Sequence, residues 1–292
     1  MVAIDPQLMS EMATEALADD LDVPQFLMLH YIPPHEPYAP RPRFDIFRND
    51  RYDGEVDGTV RTFRRINRGR LVSTEDDLSE LIALYDGNLR MADDGVGWVM
   101  DTFRQRDRWD RTVVLVTSDH GEAFLEHGRV GHNTTVYDEM LRVPFILRVP
   151  PEADLSDIDT GRLVSLEDVV PTLLGLAGIP VADDVSGVDL LSTDSYPDKR
   201  GLVARAVHTP RILAYRTPVW ALIDGPNPLE LYDTRSDPSQ RSNVSFERFR
   251  RTVCLRSLLE LELLRPPLGA SAESRDIDQT DIDALRSLGY VR

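Results

Sequence analysis

Three short apolar runs limit what this chain can fold into. They are Gln25–Ile32 (QFLMLHYI), Thr112–Thr117 (TVVLVT) and Val143–Val149 (VPFILRV). Each is shorter than an ordinary helix, and each has the apolar composition of a buried strand. The stretches between them read as helical. Ser73 or Thr74 can cap a long helix whose first turn, Glu75, Asp76 and Asp77, complements the helix dipole. Leu78, Leu81, Ile82, Tyr85 and Leu89 follow at helical spacing, and Val96, Val99, Met100 and Phe103 resume it. Gly95 and Gly97 weaken the middle. Residues 5–20 read as a short acidic helix, and Leu166–Ala177 as a helix stopped by Gly178. Strands apolar on both faces and separated by helices predict an α/β sheet covered on both sides.

Composition shifts after Thr193. Residues 201–223 alternate as strands do, DGPNP (224–228) reads as a turn, and Leu229–Asp233 as a further strand. Phe246–Leu264 has the pattern of an amphipathic helix. The expected organisation is a main α/β domain over residues 1–195 and a smaller antiparallel α+β subdomain over 196–292. The Pro-rich stretch after Ile32 must be extended loop, and residues 45–72 read as exposed and irregular.

Charge narrows the partners. Fifty acids against 33 bases give a net charge of −17, and Lys199 is the only lysine. Such a field repels nucleic acid and anionic membranes. Acid excess with almost no lysine points to a high-salt organism, where ions screen the self-repulsion. No apolar run approaches the roughly 20 residues of a membrane span. The first twenty residues lack a basic start and an apolar core, so a cytoplasmic location is expected. A single cysteine, Cys254, excludes an internal disulfide and a thiolate metal site. Its place in an amphipathic pattern predicts a buried, inert thiol.

Two stretches could carry chemistry. In Thr117–Pro144 an apolar strand ends in Asp119 and His120, followed by Gly121. Ligands of open α/β sheets gather at the carboxyl ends of strands. An oxygen and a nitrogen donor side by side can hold a divalent cation, and His127 and His132 follow with Glu122 and Glu126 between them. A capped turn with solvated histidines is the competing reading. The second stretch, His30–Pro42, places His35 and Tyr38 on a Pro-rich loop after another apolar run. A linker with an incidental histidine competes there.

Taken in order, the motifs resemble the sulfatase family of the alkaline phosphatase superfamily. They are His30, Pro34, His35, Pro37 and Tyr38; Asp119, His120, Gly121 and Glu122; Glu126, His127 and Gly128; Gly131 and His132; Tyr137, Asp138 and Glu139; and Arg142, Val143 and Pro144. DVVPTLLGLAGIPV (168–181), SGVDLL (186–191), ELYDTRSDPSQRSNV (230–244) and LRSLGYV (285–291) resemble the family's later segments. The resemblance implies an alkaline-phosphatase-like sandwich, here a partial central sheet flanked by helices, and hydrolysis of a small sulfate ester by an arylsulfatase-like enzyme. It implies Asp119 and His120 as metal ligands, with His35 and His132 contacting the ester. Glu122, Glu126 and His127 are then supporting residues, and Tyr137, Asp138, Arg142 and Pro144 hold the loop. Calcium is the family's usual ion, while the nitrogen donor of His120 suits Mn²⁺ or Zn²⁺.

The sequence departs from the family at the nucleophile. Sulfatases convert a cysteine or serine of a C/S-x-P/A-x-R motif to formylglycine. Cys254 is followed by LRSL, and Ser236–Gln240 (SDPSQ) ends in glutamine where the motif has arginine. Formylglycine is therefore not available in this chain, and Lys199 lies in a linker where it cannot serve the family's anion-binding role. Two ligands would hold Ca²⁺ weakly, since it takes about 6–8 oxygens. The expectation is an inactive isolated chain, with an N-terminal half or partner subunit supplying the rest. A phosphoester or phosphonate monoester hydrolase of the same superfamily, or an inactive subunit that keeps only the fold, are the alternatives.

Overall fold

The long helix is set by its first residues. Thr74 Oγ1 accepts from Asp77 N, and the Asp77 carboxylate accepts from Thr74 N, a reciprocal cap that starts a 31-residue helix. The computed structural model describes residues 5–17, 23–132, 135–153, 155, 158–192, 196–197, 200–206, 209, 211–225 and 228–265. In chain order its elements are α1 (Pro6–Glu15), α2 (Val60–Asn67), α3 (Glu75–Gln105), β1 (Val114–Thr117), β2 (Ala123–Phe124), β3 (Val130–Gly131), α4 (Asp138–Leu141), β4 (Phe145–Arg148), α5 (Val169–Leu176), β5 (Leu202–Arg205), β6 (Leu213–Arg216), β7 (Trp220–Asp224), β8 (Glu230–Asp233) and α6 (Phe249–Leu263). Lys199 and the LRSLGYV segment lie outside the described residues. The described chain divides into two compact units. One holds the residues up to Thr112 with His127–Gly131, and the other holds Val113–Glu126 with the residues from His132 onward.

In the first unit α1 packs on α3. The glycine that weakens α3 in sequence is where they meet: a Cβ on Gly95 would stand 3.0 Å from Pro6 Cβ, and Ser10 Oγ lies 2.9 Å from the Gly95 carbonyl. The helix therefore runs unbroken through a residue whose missing side chain admits its neighbour. Residues 45–72 are not wholly irregular. Thr59 caps α2, which buries Thr62, Phe63 and Ile66.

Gln25–Ile32 corrects the sequence reading, because it forms no strand. The alternation survives, with Leu27, Leu29 and Tyr31 half-buried, but Phe26 and Met28 are 81% and 75% exposed. Apolar alternation specifies which side chains share a face; a strand also needs a neighbour to bond.

In the second unit β1 pairs antiparallel with β4, with Val114 opposite Arg148 and Thr117 opposite Phe145. This antiparallel pair is the part of the expected α/β sheet that the described residues form here. β5–β6–β7–β8 form an antiparallel meander, as the alternation after residue 200 predicts. One face of it receives α6: Leu222, Leu231 and Leu259 are at most 1% exposed and cluster with Tyr215 and Leu255. Each such leucine contributes about 1.5–3 kcal/mol by burial. The other face packs Ala214, Ala221, Ile223 and Tyr232 against Val136 and Tyr137, the segment that supports the candidate site. Cys254 is exposed, contrary to the buried thiol expected, because Thr252, Leu255 and Leu259 form the inward face of α6.

Candidate active site

β1 ends at Thr117, whose hydroxyl donates to the Pro144 carbonyl at 2.8 Å and ties the strand end to the residue before β4. The chain then turns sharply. Ser118 Oγ donates to His120 O at 2.7 Å, and His120 N donates to Asp119 Oδ1 at 3.1 Å. Gly121 N donates to Met140 O at 2.8 Å. A Cβ on Gly121 would lie 2.0 Å from Glu139 O, so only glycine lets the turn rest against α4.

This turn fixes the orientation of His120. Its Nδ1 lies 2.8 Å from the Gly121 carbonyl. A carbonyl only accepts, so Nδ1 carries a proton and the Nε2 edge of the ring is presented outward. Metal-ligating histidines are commonly oriented in this way, by a bond from the other ring nitrogen to a carbonyl. Asp119 Oδ2 stands 3.8 Å from that Nε2. The oxygen and nitrogen donors are thus within the span one cation can bridge, and both side chains retain solvent access.

His132 adds a second imidazole. Its ring lies 4.3 Å from that of His120, centroid to centroid, at 30° between planes. Its Nδ1 is 3.2 Å from a Glu122 carboxylate oxygen, and both side chains are buried, 4% and 6% exposed. The carboxylate fixes this ring as the carbonyl fixes His120. Asp119, His120, Glu122 and His132 therefore form one cluster within the second unit.

The cluster rests on a polar frame. Tyr137 and Tyr232 both donate to Glu230 Oε2, at 2.8 and 2.7 Å. Burial, with the adjoining Glu230 carboxylate, pushes Tyr137 up to about 12 and Tyr232 higher still. Arg216 donates to Asp138 Oδ2 at 2.8 Å, and Asp138 N donates to Gln240 Oε1 at 2.7 Å. Burial raises Asp138 above the ordinary carboxylate range although Arg216 and Arg142 oppose it, and burial lowers Arg216. Gln240 is 1% exposed and adopts φ 52°. The SDPSQ near-miss to a nucleophile motif is thus a turn whose last residue anchors α4. Sequence reasoning passed over this role and that of Glu230, because only tertiary structure brings them to residues 137 and 138.

His35 belongs to the first unit. Its N donates to Ile32 O at 2.8 Å, and its Nδ1 lies 2.6 Å from the Glu36 carbonyl, which again fixes the ring through Nδ1. Asn88 of α3 pins the loop, donating to Pro37 O at 3.3 Å and accepting from Ala39 N at 3.2 Å. Tyr38 is 1% exposed between the rings of Phe63 and Tyr85. His127 also belongs to this unit. A cleft of about 410 Å³ lined by Tyr52, Asp53, Glu55, Asp76 and Asp77 includes none of the predicted site residues.

Residues 3–179 match the Sulfatase family model. Arylsulfatase K of Bos taurus is 29% identical over 223 residues, which is 70% of this chain and 41% of that protein. The chain therefore spans about two fifths of the length of this curated relative. A solved structure described as a complex with its substrate D-glucosamine-2-N,6-O-disulfate superposes with a TM-score of 0.68 at 20% identity, covering 89% of this chain and 69% of that one. The phosphonate monoester hydrolase of Silicibacter pomeroyi superposes with a TM-score of 0.69 at 19% identity, covering 94% and 63%. These likenesses give the fold, an alkaline-phosphatase-like α/β architecture represented here in part.

Proposed function

Because the chain belongs to the sulfatase family of hydrolases, within the alkaline phosphatase superfamily, we propose that the Asp119–His120 turn holds a divalent metal for hydrolysis of a small sulfate ester. The observation that carries this reading is the orientation of His120. Its Nδ1 proton is committed to Gly121 O, and its Nε2 faces Asp119 Oδ2 across 3.8 Å. One oxygen and one nitrogen donor fit part of a coordination sphere, and the mixed set suits Mn²⁺ or Zn²⁺ as well as the calcium usual in the family. Bound there, such an ion would neutralise charge on the ester oxygens. His132, oriented by Glu122, would contact the sulfate group. A histidine of this kind can protonate the leaving oxygen.

Two donors make a weak site, and no C/S-x-P/A-x-R sequence supplies a nucleophile. The 292-residue chain alone is therefore expected to turn over aryl sulfates negligibly and to require an N-terminal half or partner subunit. Calorimetric titration with Ca²⁺, Mn²⁺ and Zn²⁺ tests the metal assignment. Weak binding that disappears in Asp119→Asn is expected; identical titrations of the two proteins would refute it. Turnover of an aryl sulfate by the purified chain, abolished by Asp119→Ala, would refute the requirement for a second part.

A second reading is hydrolysis of phosphate or phosphonate monoesters. The nitrogen donor of His120 favours it, and the fold likeness to a phosphonate monoester hydrolase accommodates it. Side-by-side assay of sulfate and phosphonate monoesters, on the chain supplied with the N-terminal half or partner subunit proposed above, separates the two.

A further inference from the structure

The strongest charge anomaly of the sequence lies in the first unit. In a chain of net charge −17, residues 61–70 (RTFRRINRGR) hold five arginines and no acid. The structure turns this run into a surface. Arg61, Arg64, Arg65 and Arg68 are spaced i, i+3, i+4 and i+7, so α2 and its C-cap gather them on one side, opposite the buried Thr62, Phe63 and Ile66. Arg65 pairs with Glu55 at 2.6 Å. Arg61, Arg64, Arg68 and Arg70 are exposed and make no ion pair with any described residue.

Helix electrostatics accounts for only part of this. Cations near a helix C-terminus are favourable, which suits Arg64, Arg65 and Arg68. Arg61 sits in the first turn, where the dipole disfavours a cation, and like charges at i, i+4 repel. A basic face of this density is the footprint of a polyanion site. The surface is also held firmly. The Asn67 side chain accepts from Val130 N at 2.9 Å and donates to Val130 O at 2.8 Å, and Arg129 donates to Asn67 O at 2.8 Å.

We propose that the arginine face of α2 is an anchoring surface for a sulfated polysaccharide chain. The identity of the anion rests on the sulfate-ester reading above; the surface itself does not. Guanidinium groups bind sulfate oxygens with paired, charge-assisted hydrogen bonds. The face is about 10 Å long, enough for a short flexible oligosaccharide. A stiff nucleic-acid duplex would extend beyond it into the repulsive field of the remaining surface.

The test is fluorescence anisotropy with a labelled heparin tetrasaccharide, an unsulfated hyaluronan tetrasaccharide and a DNA duplex at low salt. The full chain should bind heparin well above the other two. Arg61→Ala/Arg64→Ala/Arg68→Ala should weaken heparin binding roughly tenfold or more and flatten the salt dependence by about one unit of slope per arginine. Arg235→Ala/Arg241→Ala/Arg250→Ala removes the same charge from exposed positions in the other unit and should change binding less than about twofold. Far-ultraviolet circular dichroism confirms that both variants stay folded. Absent heparin binding, equal losses in the two variants, an unchanged α2 variant, or DNA bound as tightly as heparin would each overturn the proposal. Asp119→Asn should bind heparin normally, so the metal titration can fail without this result failing, and the reverse.

Discussion

Two loops of this protein follow apolar runs and present histidines, yet their supports differ. The turn at Asp119 follows a run that found a partner, since β1 pairs with β4 and Thr117 is bonded to Pro144. The loop at His35 follows a run that forms no strand and leaves Phe26 and Met28 in solvent. Both loops are nonetheless fixed in detail. The first is braced from below by α4 and the sheet behind it, the second from the side by Asn88 and the burial of Tyr38. A loop can therefore be well defined while the run that enters it lacks a neighbour, because its polar backbone groups must find partners in either case.

The sharpest way to break the comparison is at the brace. In Gly121→Ala the new methyl group meets Glu139 O at 2.0 Å, and backbone cannot move aside as a side-chain end can. Destabilisation by about 3 kcal/mol is expected in urea unfolding, together with loss of metal binding. A loss under about 1 kcal/mol would show that α4 does not fix the turn. The matching change in the other loop is Asn88→Ala. It strands Pro37 O and Ala39 N beside a residue that is 4% exposed, and about 2 kcal/mol is expected by the same measurement. Faster amide exchange at Ala39, with Gly121 unchanged, would confirm that the two supports are separate.

Much of this was legible in sequence. The Thr74 cap, α3, β1, β4, α5, the meander and α6 all follow from local pattern, and the position of Asp119 and His120 just after a strand is readable from the apolar run before them. What sequence could not supply was contact between distant residues. Gly95 reads as a helix breaker until Pro6 lies against it. Gln240 reads as a failed motif until its carbonyl oxygen meets Asp138 N. The α2 helix was hidden because arginines occupy its whole solvent face, so residues 45–72 read as loop. Cys254 was misplaced by one helical position, since the amphipathic stripe of α6 is set by which leucines reach β7 and β8. The strand reading of Gln25–Ile32 failed because periodicity reports side-chain faces and carries no information about a pairing partner.

That failure yields the smallest expected effect and the most direct check on the contrast between the loops. In Phe26→Ser/Met28→Ser the chain loses two apolar side chains that are 81% and 75% exposed. Exposed substitutions of this kind change stability by no more than about 0.5 kcal/mol. Had the run been a strand buried on both faces, truncating its large side chains would cost about 2–5 kcal/mol each. The urea midpoint should therefore barely move. Solubility should rise, because an extended apolar run without a strand neighbour is a template for association between chains. An unfolding free energy that falls by several kcal/mol would mean that Phe26 and Met28 are covered in solution, and the two loops would then share one kind of support.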